Sequence, residues 1–132
     1  LSRAATGIII DNIQNIICRQ LKSRRQIEIT LALKKLLSED SHINRRPSYY
    51  AQLLHISPVY LNEIVKNITG TTASKYIQEE IILRAKRMLI YTTLSIKEIA
   101  FDLGFDDHTY FTRLFTQTAG LTPTTYRKKY LE

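Results

Sequence analysis

The sequence holds few of the residues that cross-link or interrupt a chain. Its 132 residues include one cysteine, no tryptophan, four glycines and three prolines. The lone Cys18 excludes an internal disulfide and fits a reducing cytoplasm, where we expect the protein to act. Because polar side chains interrupt the apolar segment 8–17, we expect neither a signal peptide nor a membrane span, and no membrane partner.

Acidic residues are also in short supply. Nineteen lysines and arginines face twelve acidic residues, which gives a net charge of +7 and a pI of about 9.6. This excess predicts an anionic partner, with nucleic acid ahead of a membrane surface. The chain is 44% hydrophobic and shows helical periodicity over long stretches. Together with the scarcity of glycine and proline, this predicts an all-α class with a modest core.

The stretch from Ile96 to Tyr126 has the pattern of two short helices joined by a tight turn. A first apolar-patterned run ends at Gly104, and Gly120 closes the second. Glycine suits such turns because it reaches positive φ without a Cβ clash. The pattern therefore indicates a helix-turn-helix.

The same pattern occurs earlier in the chain, offset by 49 and then 50 residues. The segment 51–57 aligns with 100–106, and Gly70 aligns with Gly120 after one extra residue. His55 stands at the first turn, and histidine tolerates left-handed backbone better than most residues. Two copies are fewer than a solenoid requires, so a duplicated helix-turn-helix is favoured.

The remaining helices are predicted from apolar stripes and capping residues. Two helices, 8–22 and 26–39, are predicted on either side of a basic junction at 22–25. Two short helices follow, 49–54 capped by Ser48 and 58–68 capped by Ser57. A long helix then runs from Thr72 or Ser74 to about Tyr91, and a last helix begins at Thr122-Pro123 with Tyr126 inward and Arg127 outward. The long helix would bury the stripe Ile77, Ile81, Ala85, Met88 and Leu89.

The first helix has an apolar stripe made of Ile9, Ile13, Ile16, Ile17 and Leu21. Two interpretations stand side by side. The stripe packs on the rest of this chain, or it belongs to a linker helix that pairs with a partner or with a domain outside this sequence. The chain begins with Leu1 rather than Met, and we expect it to be a piece of a longer protein.

The second helix of each copy leaves a polar face outward. The side chains there that can read base edges in a major groove are Val59, Tyr60, Asn62, Glu63, Lys66, His108, Thr109, Tyr110, Thr112, Arg113 and Gln117. Arginine pairs with guanine, asparagine or glutamine with adenine, glutamate with cytosine, and valine or a threonine methyl touches the thymine methyl. Two such sets, each after a turn, predict base contacts rather than ordinary solvated faces.

The geometry of the long helix supports this interpretation. A helix over residues 73–91 is about 28 Å long, and successive major-groove faces lie about 34 Å apart. One polypeptide could thus read two adjacent grooves. Phosphate contacts are predicted for the basic and helix-capping residues Arg45, Arg46, Ser57, Thr72, Lys75, Lys97, Thr122 and Arg127.

Catalytic and metal-binding patterns are absent from the sequence. The histidines and single cysteine have no recognisable metal-site spacing, and no nucleophile elbow, P-loop or dinucleotide fingerprint is present. Asp106-Asp107 is predicted to be a turn and cap rather than a catalytic pair. We therefore expect no enzyme activity, metal or cofactor.

Residues from about 45 to 130 resemble the DNA-binding domain of the AraC/XylS family of bacterial transcription regulators. The resemblance is carried by YAQLLHISPVYLNEIVKNITG, YIQEEIILRAKRML and SIKEIAFDLGFDDHTYFTRLFTQTAGLTPTTYRK. It is most specific in IAFDLGF and in Tyr110-Phe111, Arg113, Phe115, Gly120, Pro123 and Tyr126-Arg127. By position, it implies base contacts at Val59, Asn62, Glu63, His108, Tyr110, Thr112 and Arg113.

The resemblance also implies an architecture and partners. Seven helices would form two homeodomain-like helix-turn-helix lobes on a rigid central helix, with an extra N-terminal linker helix. Residues 1–25 would be the linker or dimerisation helix and 26–132 the DNA-binding domain, with lobe one at 26–72, the connecting helix at 73–91 and lobe two at 92–132. The implied function is that of an activator binding double-stranded DNA and RNA polymerase, with a homodimer through the N-terminal helix or a sensor domain outside this sequence.

One alternative function remains open from the residues alone. The chain could be a helical protein-interaction module that binds through the 8–22 stripe, with its basic surface incidental.

Overall fold

The protein is described by a computed structural model that covers residues 2–39 and 43–131. In these two segments the chain forms helices with short connections and no strand. The helices are α1 (Ser2–Glu39), α2 (Pro47–Leu53), α3 (Pro58–Thr69), α4 (Ala73–Tyr91), α5 (Ile96–Asp102), α6 (His108–Ala119) and α7 (Pro123–Leu131). The predicted all-α class is confirmed. None of the helices in the described segments is both long and apolar enough to cross a membrane.

The N-terminal region is one helix rather than the two that we predicted. Helix α1 runs without interruption for 38 residues, through the basic segment 22–25. Lysine and arginine are good helix formers, and neither glycine nor proline lies there to stop the helix. Arg24 also forms an ion pair with Glu28 one turn later, at 3.3 Å. The charges therefore lie on an exposed helix face and do not break it.

The surroundings of α1 change along its length. Its C-terminal half buries Leu33 and Leu37, with Gln26 and Thr30 nearby. The Thr30 hydroxyl donates to the Gln26 carbonyl at 2.9 Å, which pairs this buried group within the helix. In contrast, the predicted stripe of the N-terminal half is exposed at Ile9, Ile13, Ile16, Ile17 and Leu21. The interpretation that this stripe packs on the rest of the chain is wrong.

Helix α2 begins one residue before the predicted cap. Ser48 lies inside the helix, Pro47 occupies its first turn, and Arg46 is the N-cap residue without a side-chain capping bond. The prediction failed because proline at the first helical position already has a helical φ and lacks only an N–H that would be unpaired there. The helix therefore starts without a serine cap.

The turn and the second helix of lobe one follow the prediction. His55 has φ of 58°, in the left-handed region. The Ser57 hydroxyl accepts the Tyr60 N–H at 3.1 Å, and α3 ends at the left-handed Gly70. These residues fix the angle between α2 and α3, which in turn aims the outer face of α3.

Helix α4 is the centre of the molecule. Thr72 caps it, and its buried residues are Ala73, Ile77, Ile81, Ile82, Ala85 and Leu89. The predicted stripe is thus confirmed except at Met88, which is only partly buried, and Ile82 is an additional buried residue. Helix α4 packs against each of the other six helices. The buried face of α4 therefore holds both lobes against the same helix.

Lobe two has an aromatic core beneath α6. The rings of Phe105, Phe111 and Phe115 follow one another, with centroid separations of 5.2 and 6.0 Å. Tyr126 of α7 meets Phe115 edge-on at 5.5 Å, so its predicted inward orientation is confirmed. Edge-on and tilted contacts are the favoured geometries for aromatic pairs. These contacts hold the core-facing side of α6 in place.

The two lobes also touch directly, at the turn of lobe two. Gly104 has φ of 83°, and a Cβ there would overlap the carbonyl oxygen of Ile43. Ile43 itself is buried, in the connection that leads into α2. The glycine is therefore needed for two reasons, its left-handed backbone and the close approach of a backbone segment from lobe one.

Gly104→Ala should destabilise the protein more than the left-handed backbone alone requires. We expect about 1–2 kcal/mol from the alanine in a left-handed conformation and about 1–3 kcal/mol from overlap with the Ile43 segment. Urea unfolding followed by circular dichroism measures the total.

Gly70→Ala is the matched control, because Gly70 has φ of 81° but no heavy atom within 4 Å of the place that an alanine Cβ would take. It should lose only the backbone contribution. Equal losses in the two variants would contradict a close contact between the lobes at Gly104.

Candidate nucleic-acid interface

Helices α3 and α6 occupy equivalent places in the two lobes. Each follows a capping residue, and the Asp107 carboxylate accepts the Thr109 N–H at 2.9 Å, which confirms the predicted cap. Each ends at a left-handed glycine. Both face the core through apolar residues: Leu61, Ile64 and Val65 are buried in α3, and Phe111 and Phe115 in α6, where Leu114 is half-buried. The opposite face of each helix is thereby turned outward.

The outward faces carry the predicted base-contact side chains. Val59, Asn62, Glu63 and Lys66 are exposed on α3, with Val59 at 71%, and Tyr60 is half-buried. On α6, His108, Thr109, Tyr110, Arg113 and Gln117 are exposed, and Thr112 is half-buried. Arg113 forms no ion pair within residues 7–39 and 43–131. Its guanidinium is therefore available to a ligand.

Asn62 has a structural role that the sequence did not reveal. Its side-chain oxygen accepts the N–H of Ala73 at 2.9 Å, which links α3 to the first turn of α4. Reading adenine uses the oxygen and the nitrogen of the amide together, so the same oxygen would have to serve both contacts, which restricts the orientation of the amide. In lobe two the equivalent residues are Thr112 and Pro123, and proline has no N–H to donate.

Three predicted phosphate contacts are helix N-cap residues. Ser57, Thr72 and Thr122 each accept the backbone N–H three residues later, at 3.1–3.2 Å. The start of a helix carries partial positive charge, which favours a phosphate nearby. Their hydroxyls stabilise α3, α4 and α7 in the absence of any ligand.

A shallow groove brings some predicted residues of the two lobes together. Its volume is about 540 Å³, and it is lined by Thr72, Ser74, Lys75, Gln78 and Glu79 at the start of α4 and by Gln117 and Thr118 near the end of α6. Two predicted phosphate contacts thus lie beside a predicted base contact. Arg46 and Lys97 are exposed but are not part of this groove.

Arg127 does not face outward, so that prediction is wrong. Its guanidinium donates to the carbonyl of Leu89 at 2.9 Å and to that of Thr92 at 3.3 Å. These carbonyls lie at the C-terminal end of α4, where the helix dipole attracts positive charge. Arg127 therefore ties α7 to the end of α4. The residues that show this are 35 and 38 positions apart, which no local pattern could indicate.

Arg45, predicted to contact phosphate, is exposed and lies over two aromatic rings of lobe two. Its guanidinium carbon is 4.3 Å from the centre of the Phe105 ring and 5.3 Å from that of Tyr110. Arg45 and Tyr110 also line a cavity of about 180 Å³ between α4 and α6, together with Ser74, Ile77, Gln78, Ile81 and Leu114. Sequence reasoning missed this contact, because the partners belong to different copies of the repeat.

Two equivalent tyrosines pack where α4 and α7 begin. Burial, followed by the negative charge of Glu80, raises the pKa of Tyr76 to about 12. Burial, followed by Tyr130, also raises the pKa of Tyr126. Both phenols therefore remain neutral and act as packing groups. Within the part of the chain that the structure describes, no group of three His, Cys, Asp or Glu residues is placed to hold a metal ion.

Comparison with known proteins agrees with this geometry. Residues 50–129 match a family described as a helix-turn-helix domain. Over 103 residues the chain is 36% identical to an uncharacterised HTH-type transcriptional regulator, YfiF, of Bacillus subtilis, covering 78% of this chain and 31% of that protein. It is 36% identical over 70 residues to the HTH-type transcriptional activator RhaR of Cronobacter sakazakii, covering 53% and 25%. The chain thus spans about a quarter to a third of the length of these relatives.

Solved structures show the same architecture. The C-terminal domain of AraT, a response regulator from Geobacillus stearothermophilus, superposes with a TM-score of 0.68 at 28% identity, covering 76% of this chain and 84% of that one. The DNA-binding domain of AdpA, solved with a target DNA, also has a TM-score of 0.68, covering 77% and 91%, and at 20% identity it supports the fold alone. The chain belongs to the AraC/XylS family of helix-turn-helix transcription regulators and contains the helix-turn-helix domain of that family.

Proposed function

We propose that this protein reads two adjacent major grooves of one duplex with α3 and α6. The observation that carries the proposal is the pairing of two equally capped helices, with polar outer faces, on one central helix. Helix α4 has 19 residues and is about 28 Å long, close to the spacing of about 34 Å between groove faces. A monomer would then bind an asymmetric site.

The base contacts are assigned by chemistry and exposure. Arg113, exposed and without an ion-pair partner among the described side chains, suits guanine. Gln117 suits adenine, Glu63 suits cytosine, and Val59, which is 71% exposed, suits a thymine methyl. Asn62 is less suited to a base contact than its exposed position suggests, because its side-chain oxygen already accepts the Ala73 N–H.

Phosphate contacts would supply most of the affinity. The exposed Arg46, Lys75 and Lys97 contribute charge, and the starts of α3, α4 and α7 contribute oriented N–H groups. Binding should therefore weaken steeply as salt is raised. Arg127 is not part of this proposal, since its guanidinium already binds carbonyls of α4 and the loop after it.

We also propose that the protein activates transcription in the cytoplasm by contacting RNA polymerase. Relatives named as activators support this role. One of these, AdaA of Bacillus subtilis, is named a bifunctional activator and DNA repair enzyme, and it is 36% identical over 78 residues, which is 59% of this chain.

Arg113→Ala should weaken binding to a duplex obtained by selection from random sequences. The expected loss is about 1–3 kcal/mol, confined to duplexes with the preferred base at one position, because a bidentate base contact is removed. Fluorescence anisotropy on the selected duplex and on its single-base variants measures both effects. Equal losses on selected and scrambled duplexes would contradict the assignment.

Lys97→Ala serves as the matched control, because it removes an exposed positive charge from lobe two without touching the outer face of α6. It should weaken binding to every duplex alike. It should also lower the slope of log affinity against log salt by about 0.9, as expected for one lost phosphate contact. A sequence-dependent loss would place Lys97 at a base instead.

A second function is favoured by the exposed apolar face of α1. Positions 10, 13, 17, 20, 24, 27 and 31 follow the alternating spacing of three and four residues typical of a coiled coil. Five of them are large aliphatic residues, Ile10, Ile13, Ile17, Ile27 and Leu31, each between 46% and 59% exposed. At 100° per residue this face points about 140° away from the face that buries Leu33 and Leu37. It is therefore directed away from the DNA-binding lobes.

We propose a second copy of this chain as the occupant of that face. A heptad-spaced face is complementary to itself, so two copies bury each other's isoleucines without a different partner. Gln20 and Arg24 interrupt the apolar positions, and polar residues at such positions select register and number of strands. A dimer would double the number of recognition helices and raise affinity for paired sites through effective concentration.

Replacing Ile13 and Ile17 together by lysine should abolish self-association, because the charges would be buried in the pair. Sedimentation velocity over a concentration series measures the oligomeric state without DNA. The matched control replaces Asn12 and Asn15 by lysine on the other side of α1, and it should associate like the wild type. A wild-type protein that stays monomeric at high concentration would rule out self-pairing.

A further inference from the structure

The contact between Arg45 and two aromatic rings crosses from one lobe to the other. Arg45 lies in the connection before α2, Phe105 in the turn between α5 and α6, and Tyr110 in the first turn of α6. The ring distances of 4.3 and 5.3 Å are within the range of about 6 Å for a cation–π interaction. Phe105 is only 2% exposed, and the guanidinium covers part of its ring.

A second contact reinforces the first. The carbonyl of Ile43 lies against Gly104, so the backbone two residues before Arg45 meets the turn one residue before Phe105. The two lobes are therefore joined along a continuous surface in addition to α4. Tyr110 lies at the edge of this surface, 6.0 Å from Phe105, and is still 45% exposed on the outer side of α6.

The internal repeat shows that Arg45 has no equivalent in lobe two. At the offset of 49 residues, its counterpart is Leu94, which packs against the hydrophobic core. Lobe two thus has an apolar side chain at this position, whereas Arg45 of lobe one contacts two rings of the other lobe. Among the described side chains, no carboxylate pairs with Arg45. Its guanidinium therefore has the rings as its partners.

We propose that Arg45 is a positioning residue that holds α6 in a fixed orientation relative to lobe one, so that the two recognition helices bind as one rigid reader. This inference rests on the proposed two-groove function. Binding of the first helix then places the second over its own groove at little further cost in orientation. Arginine is suited to the task because its planar group stacks on a ring, which the ammonium of lysine cannot do.

One test needs no DNA. Residual dipolar couplings measured by NMR report the relative orientation of the lobes, and one alignment tensor should fit both lobes of the wild type. Arg45→Ala and Arg45→Lys should each require separate tensors, whereas Arg46→Ala should not. A single tensor in both Arg45 variants would overturn the proposal, whether or not the protein reads two grooves.

A second test uses a duplex recovered by selection from random sequences, and a derivative with one of its two contacted segments scrambled. Arg45→Ala and Arg45→Lys should each lose about threefold to tenfold affinity for the selected duplex. They should bind the scrambled derivative like the wild type. The slope of log affinity against log salt should not change, because no phosphate contact is lost.

The neighbouring Arg46 provides the contrast, since it is exposed and is assigned to phosphate. Arg46→Ala should weaken binding to both duplexes and lower the salt slope by about 0.9. If Arg45→Ala behaves in the same way and Arg45→Lys behaves like the wild type, Arg45 contacts phosphate and the proposal is overturned. A wild type that bound no duplex would defeat the two-groove function, and the NMR test would still decide the role of Arg45.

A pair of substitutions separates the ring contact from general damage to the fold. Phe105→Leu keeps an apolar side chain but removes the ring beneath the guanidinium. If the proposal holds, Arg45→Ala has a much smaller further effect on lobe orientation in the Phe105→Leu background, where only the more distant Tyr110 ring remains beside the guanidinium. An additional loss of the same size as in the wild type would show that Arg45 acts through some other group, and would overturn the proposal.

Discussion

Burial of one face of α4 by both lobes is the constraint on which the structure depends. Ile77, Ile81, Ile82 and Leu89 are each at most 1% exposed, and every other helix packs against this rod. Fully burying one such side chain contributes roughly 1.5–3 kcal/mol. Apart from Ile64, the buried apolar residues of both lobes belong to one continuous cluster, and the aromatic rings of lobe two are part of it. The orientation of each recognition helix therefore depends on the same central packing.

Polar contacts and ring stacking further fix the positions of the helices relative to one another. Asn62 joins α3 to the start of α4, and Arg127 joins α7 to its end. Arg45 and Gly104 bring the lobes together away from α4. Hydrogen bonds and stacked rings are directional, whereas apolar burial is not. The arrangement of the two lobes therefore rests on both kinds of interaction.

The sequence predicted local chemistry well and distant contacts poorly. Caps and turns such as Ser57 and Gly70 could be predicted because a helix end is determined by a few neighbouring residues. The roles of Arg45 and Arg127 could not, because their partners lie at least 35 residues away along the chain. The break predicted at 22–25 failed because clustered charge was given more weight than helix propensity.

The asymmetry between Asn62 and its counterpart Thr112 affects how the two lobes can evolve. Asn62 accepts a backbone N–H at the start of α4, so replacing it leaves that N–H without its partner and destabilises the fold. Thr112 makes no equivalent hydrogen bond, because Pro123 has no backbone N–H to donate. The fold therefore restricts the choice of amino acid at this position more in the first lobe than in the second.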